Sequence, residues 1–159
     1  MPIKHPQAFG RRSVTAVVVL IGALVSVAAA SLAGKTQARV IMVHMSPYCG
    51  CCGGWIDHMR ENGFSLMVRE VEDLEPIRAE HGVTDELMSC HTAVVDGYVV
   101  EGHVPATDVR RLLQERPEAK GLAAPGMPAG SPGMEGAGKE SYNVFLFTED
   151  GDTRVFASH

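Results

Sequence analysis

Positive charge is in short supply. The 159 residues hold 14 Lys and Arg against 19 Asp and Glu, a formal net charge of −5. Four of those basic residues (Lys4, Arg11, Arg12 and Lys35) precede position 39, where there is no acid, so the remainder stands at −9. That balance argues against nucleic acid as a partner, because phosphates need a basic surface. It suits a soluble protein with a weak, non-specific attraction for cations. No paired-carboxylate catalytic site stands out either: Glu70, Glu72, Asp73 and Glu75 read as a solvated surface. Tryptophan occurs once, at Trp55, and cysteine only four times. Three of those four fall in Cys49-Gly50-Cys51-Cys52, and the fourth, Cys90, is followed directly by His91.

The first 38 residues do not read as fold. Lys4, Arg11 and Arg12 precede the apolar stretch SVTAVVVLIGALVSVAAASLA from Ser13 to Ala33, the basic and apolar regions of an export signal. Small-residue sites such as Thr36-Gln37-Ala38 would suit cleavage. The apolar run is also near the roughly 20 residues that span a bilayer. Residues 1–38 therefore read as a signal peptide or an N-terminal membrane anchor, and residues 39–159 as one domain. Export implies an oxidising compartment, here the periplasm.

From Arg39 onward the elements can be read in order. Arg39–Met45 is a strand whose apolar run predicts burial on both faces. Gly53-Gly54 opens a helix from Trp55 to Asn62, stopped by Gly63. Phe64–Val71 is the next strand, followed by helix Leu74–His81 and a turn, Asp85–Met88. Thr92–Val95 and Tyr98–Glu101 flank Asp96-Gly97, a hairpin signal. Helix Ala106–Glu115 has Val109, Leu112 and Leu113 as its apolar face. Beyond it lies GLAAPGMPAGSPGMEG, which has linker composition. Ser141–Phe147 and Arg154–Phe156 then read as a closing hairpin. Residues 121–138 are accordingly expected to form a long loop, tethered at both ends and carrying Met127 and Met134. Met42, Met59 and Met67 read as core fillers. The order βαβα, then ββα, predicts an α/β thioredoxin-like sandwich with a mixed central sheet and a C-terminal β-hairpin.

The cysteines sit between the first strand and the first helix. Cys49 and Cys52 form a C-x-x-C pair, and such a pair can carry out thiol–disulfide exchange, so a thiol–disulfide oxidoreductase is one available activity. Cys51 inside the pair and Cys90 beside His91 fit that role poorly. Four thiolates at one point need neutralising, and a soft cation does so. The Cys49–Cys51 spacing is too short for a zinc knuckle, and dense adjacent thiolates suit bridging between several Cu(I) ions. Two structural disulfides are the plain alternative, which the adjacency of Cys51 and Cys52 disfavours. Met127 and Met134 are candidate ligands because their Pro/Gly context offers little core to fill. His91 reads equally as a ligand or as the donor to a backbone carbonyl. His58 reads as support for a ligand or as surface, His103 as support or as a solvated side chain, and Trp55 as cover for the cysteine loop.

Several stretches together carry a resemblance: Cys49-Gly-Cys-Cys52 with Trp55 and His58, Leu87-Met-Ser-Cys90-His-Thr-Ala93, Gly97-Tyr98, Glu101-Gly-His-Val-Pro-Ala106, Gly121-Leu, Pro125-Gly-Met-Pro and Gly130-Ser-Pro-Gly-Met-Glu135. In these the chain resembles the periplasmic copper-resistance family called CopG, over roughly residues 39–157. The resemblance implies a thioredoxin-like domain binding several copper ions in a cysteine-bridged cluster. It also implies a role in copper redox chemistry or detoxification beside other periplasmic copper-handling proteins. Carried over, Cys49, Cys51, Cys52 and Cys90 match the cluster cysteines, with His44, His91, Met45, Met127 and Met134 as further candidates. The resemblance also makes the Gly- and Met-rich segment part of the domain.

Overall fold

The computed structural model describes residues 39–159, so the export-signal or anchor reading of residues 1–38 lies outside the described residues. The elements are β1 (Val40–Met45), α1 (Gly50–Glu61), β2 (Ser65–Glu70), α2 (Glu75–His81), β3 (His91–Val95), β4 (Tyr98–Gly102), α3 (Ala106–Glu115), β5 (Gly121–Ala124), β6 (Asn143–Phe147) and β7 (Thr153–Ser158). Among the described residues, no helix is long and apolar enough to cross a membrane. The strands form one seven-stranded mixed sheet in the order β2-β1-β3-β4-β5-β6-β7. The pairs β1–β2 and β4–β5 are parallel, and the other neighbours are antiparallel. The mixed sheet and the C-terminal hairpin are both as the sequence predicts.

Alternation along the strands divides the core between the two faces of the sheet. On β4, Val100 packs with Ile41, Val43, Trp55, Ile56, Met59, Leu112 and Leu122 in the main core, while Val99 joins the smaller cluster of Val83, Leu87, Ala123 and Phe147. The helix α3 spans the predicted residues, with Val109, Leu112 and Leu113 buried. The first turn of α3 has no side-chain cap of its own. His58 Nε2 on α1 instead accepts the Ala106 N–H at 3.1 Å, satisfying a donor that a helix start would otherwise leave orphaned. His58 is thus a tether between two helices, and burial holds its pKa below the ordinary histidine value.

Three expectations are corrected. Residues 121–138 are not all loop, because Gly121–Ala124 is β5, an inner strand paired on both sides. No Cβ fits at Gly121, where one would overlap the Val99 backbone, so the glycine that suggested a linker permits close strand approach. The strand β1 is buried on alternate residues rather than on both faces. Met67 is not a core filler: it is 57% exposed on the edge strand β2.

Candidate metal centre

The strand β1 ends at Met45, and the Cys49 N–H closes a turn onto the Ser46 carbonyl at 3.1 Å. The helix α1 starts there, at Gly50, five residues earlier than the sequence predicts. Cys49 is its N-cap residue, and Cys51 and Cys52 lie in its first turn. Residues three apart share a helix face. Cys49 and Cys52 accordingly meet and are joined as a disulfide with their Cα atoms 5.5 Å apart, leaving Cys51 and Cys90 as free thiols. Cys90 arrives just ahead of β3, whose residue His91 is in register with Met45.

The sulfurs converge. Cys51 Sγ lies 3.7 Å from Cys49 Sγ, 3.8 Å from Cys90 Sγ and 3.9 Å from Met127 Sδ. Cys90 Sγ is also 3.5 Å from Cys52 Sγ, 3.4 Å from His91 Nδ1 and 2.8 Å from His103 Nε2. Two groups of potential ligand atoms result, Cys49–Cys51–Cys52–Cys90 and Cys90–His91–His103. Cys90 is the member common to both.

Electrostatics set the resting state of this cluster. Pro132 O can only accept, so His103 Nδ1 carries the proton in their 2.7 Å hydrogen bond. In the neutral ring Nε2 then presents a lone pair towards Cys90. Burial lowers the His103 pKa, and it lowers that of His91 to about 3, with the nearby His103 adding to the effect. Burial raises the Cys90 thiol to about 12, helped by the Cys51 sulfur. At neutral pH the Cys90 S–H therefore donates to an uncharged His103. His91 is fully buried between these groups.

Thiolate, thioether and neutral imidazole are donors that suit Cu(I). While the disulfide is intact, Cys51 and Cys90 supply the thiols; its reduction adds Cys49 and Cys52. Of the methionines predicted for the site, the structure groups Met127 with the cysteines. Met45 packs in the main core, and Met134 stands half-buried before the turn Glu135–Ala137. His44 lies on β1 between Arg69 and Thr92, outside both ligand groups. Sequence reasoning underrated His103. The one signal available was its place in Glu101-Gly-His-Val-Pro, and nothing local said that its ring turns inward.

The Gly/Pro segment is built onto this cluster. Gly126 N–H donates to Met88 O at 2.8 Å, and Ser131 Oγ donates to Pro128 O at 2.7 Å. Gly133 has φ +86 and presses on the start of α1: a Cβ there would lie 2.6 Å from Trp55 N and 2.8 Å from Cys51 O. Across the contact, a Cβ on Gly54 would come within 2.8 Å of Gly133 Cα. Gly133→Ala should therefore push the loop off the helix, at a cost of about 1–3 kcal/mol for overpacking and more for the strained φ. Thermal denaturation would register the loss, and faster amide exchange across 126–134 would locate it. An unchanged melting temperature would mean that the contact is not tight.

Residues 87–134, which include Cys90, His91, His103 and Met127, match the family model described as "Protein of unknown function, DUF411". No curated protein matches. Among solved structures, the chain is similar to two forms of "Copper resistance protein copG", each 43% identical with a TM-score of 0.73. Each covers 77% of this chain, and the chain in turn covers 99% of form 2 and 98% of form 1. At that identity over nearly the whole length of both solved chains, this protein belongs to the CopG copper-resistance family.

Proposed function

We propose that this chain is a periplasmic copper-binding protein of copper tolerance, delivered by residues 1–38. It holds Cu(I) through the thiolates of Cys51 and Cys90 with His103 Nε2, and through Cys49 and Cys52 once their disulfide is reduced. His91 and Met127 are the neighbouring donors. The observation that carries the proposal is the position of Cys90 Sγ, 2.8 Å from an imidazole lone pair and within 3.8 Å of two other cysteine sulfurs. Ligation requires thiolate, so binding displaces the proton shared by Cys90 and His103. More than one copper ion per chain suits so many adjacent sulfurs. A thioredoxin-like origin is supported by the order β2-β1-β3-β4, with β1 and β2 parallel and β3 and β4 antiparallel.

The Cys49–Cys52 disulfide favours a second reading, thiol–disulfide exchange. A dithiol reductant would supply two electrons and two protons, leave as its own disulfide, and return Cys49 and Cys52 as thiols. The two readings separate in one experiment: anaerobic Cu(I) titration of the full chain against a chromogenic chelator, disulfide intact and reduced. The reduced chain is expected to retain more than one copper, and the oxidised chain less than half as much. No retained copper in either state, with Cys49–Cys52 cycling in dithiol buffer, would sink the copper-binding proposal and leave the oxidoreductase.

A further inference from the structure

Copper binding gives no task to Glu101, a carboxylate fully buried on β4 (0% exposed). Its Oε1 accepts from the Ser89 N–H at 2.8 Å and from Arg78 Nε at 3.2 Å, and its Oε2 accepts from Thr92 Oγ1 at 2.6 Å. The same Arg78 guanidinium, on α2, also donates to the Ser89 carbonyl. Ser89 is thus held at both backbone polar groups, and Thr92 at its side chain, with Cys90 and His91 between them. The next residue, Gly102, has φ +73, and a Cβ there would overlap the Ser89 side chain. Only glycine lets β4 come this close to Ser89. His103 follows one residue later, so a single carboxylate ties the chain that carries Cys90 to the chain that carries His103.

Stability alone accounts poorly for such a group. A buried ion pair costs about as much in desolvation as it returns, and apolar residues of similar volume often do better. What the pair supplies is fixed geometry.

We propose that Glu101, oriented by Arg78, is a positioning residue. It clamps Ser89–Thr92 so that the Cys90 sulfur stays facing His103, Cys51 and Cys52. The copper consequence rests on the proposed function; the clamp itself is a property of the metal-free chain.

The test uses the full chain with its disulfide intact, so that Cys51 and Cys90 are the cysteines open to iodoacetamide. The readout is the alkylation rate of Cys90 relative to Cys51, resolved by peptide mass analysis. Glu101→Gln keeps an acceptor oxygen but takes the charge from the hydrogen bond at Ser89 and ends the ion pair with Arg78, and should raise that ratio about tenfold, with Cu(I) affinity falling by a similar factor. Leu112→Ala is the control: a merely destabilised core exposes both thiols together and leaves the ratio unchanged. Arg78→Lys keeps the charge but loses the two-pronged grip, and should shift the ratio in the same direction. Should Glu101→Gln fail to fold, Arg78→Lys decides alone. A folded variant with a ratio within about twofold of wild type, less than a hydrogen bond's worth, would overturn the clamp. If wild type binds no copper, the proposed function falls while the ratio still decides the role of Glu101.

Discussion

Cys90→Ser is expected to lower Cu(I) affinity at least about a hundredfold, the largest loss of any single substitution in the site. Cys90 is the member common to both ligand groups, so removing its sulfur divides one cluster into two incomplete ones. Oxygen is a hard donor and a poor exchange for thiolate at a soft ion. The fold should survive. Serine is smaller, the position is half-buried, and a hydroxyl can still donate to His103 Nε2. The melting temperature should accordingly stay within about 5 °C of wild type, a shift of roughly 1 kcal/mol. Chelator competition on the reduced chain measures the affinity, and circular dichroism reports the fold. A folded Cys90→Ser chain that keeps its copper would move the site away from Cys90. Cys51→Ser should weaken binding less, because Cys51 belongs to only one of the two groups.

Trp55→Ala is expected to be the most destabilising single substitution. Trp55 is fully buried, its Nε1–H donates to Val104 O at 2.9 Å, and its ring lies 4.4 Å from that of His91. It is a packing residue, as the sequence suggested, in the same core cluster as Cys52, with Cys49 and Cys90 packed against that cluster. It lies in the core against His91, whose other neighbour is the His103 ring at 5.2 Å. Truncation removes the largest fully buried side chain, at a cost of about 3–5 kcal/mol. It also leaves the Val104 carbonyl without its donor. For a domain of this size the melting temperature should fall by about 10–20 °C. Copper affinity should fall with it, because His91 and His103 lose the surface that sets their orientation. Trp55→Phe keeps an aromatic face and should recover most of the affinity but not the hydrogen bond. A drop of less than about 5 °C in Trp55→Ala, near 1 kcal/mol, would mean that the core closes over the gap.

Much of the fold was legible because its signals are local. Helix α3 (Ala106–Glu115) is marked by a 3.6-residue apolar period and a following proline. Asp96-Gly97 signals a hairpin, and both residues have the positive φ that such a turn requires, 49° and 86°. The start of α1 was placed too late. Glycines at 50, 53 and 54 weaken helix propensity, and only the turn onto Ser46 and the packing of Gly133 against Gly54 show why the helix begins at the first of them.

By itself, the sequence determined that four cysteines and a set of methionines and histidines belong to one α/β domain, and its motifs carried the family. That much follows from residue type and short spacing. Tertiary structure alone decided which of these groups meet. The Cys49–Cys52 bond follows from the early start of α1, and the approach of Cys90 follows from the antiparallel pairing of β3 with β1. The inward turn of His103 follows from a hydrogen bond to a carbonyl 29 residues away. Strand β5 has linker composition because its glycine serves closeness to Val99 rather than flexibility. The role of Glu101 has no local signal either: its partners Arg78 and Ser89 lie 23 and 12 residues distant. Composition and periodicity report on neighbours along the chain, whereas a site is made by contacts between segments far apart in it.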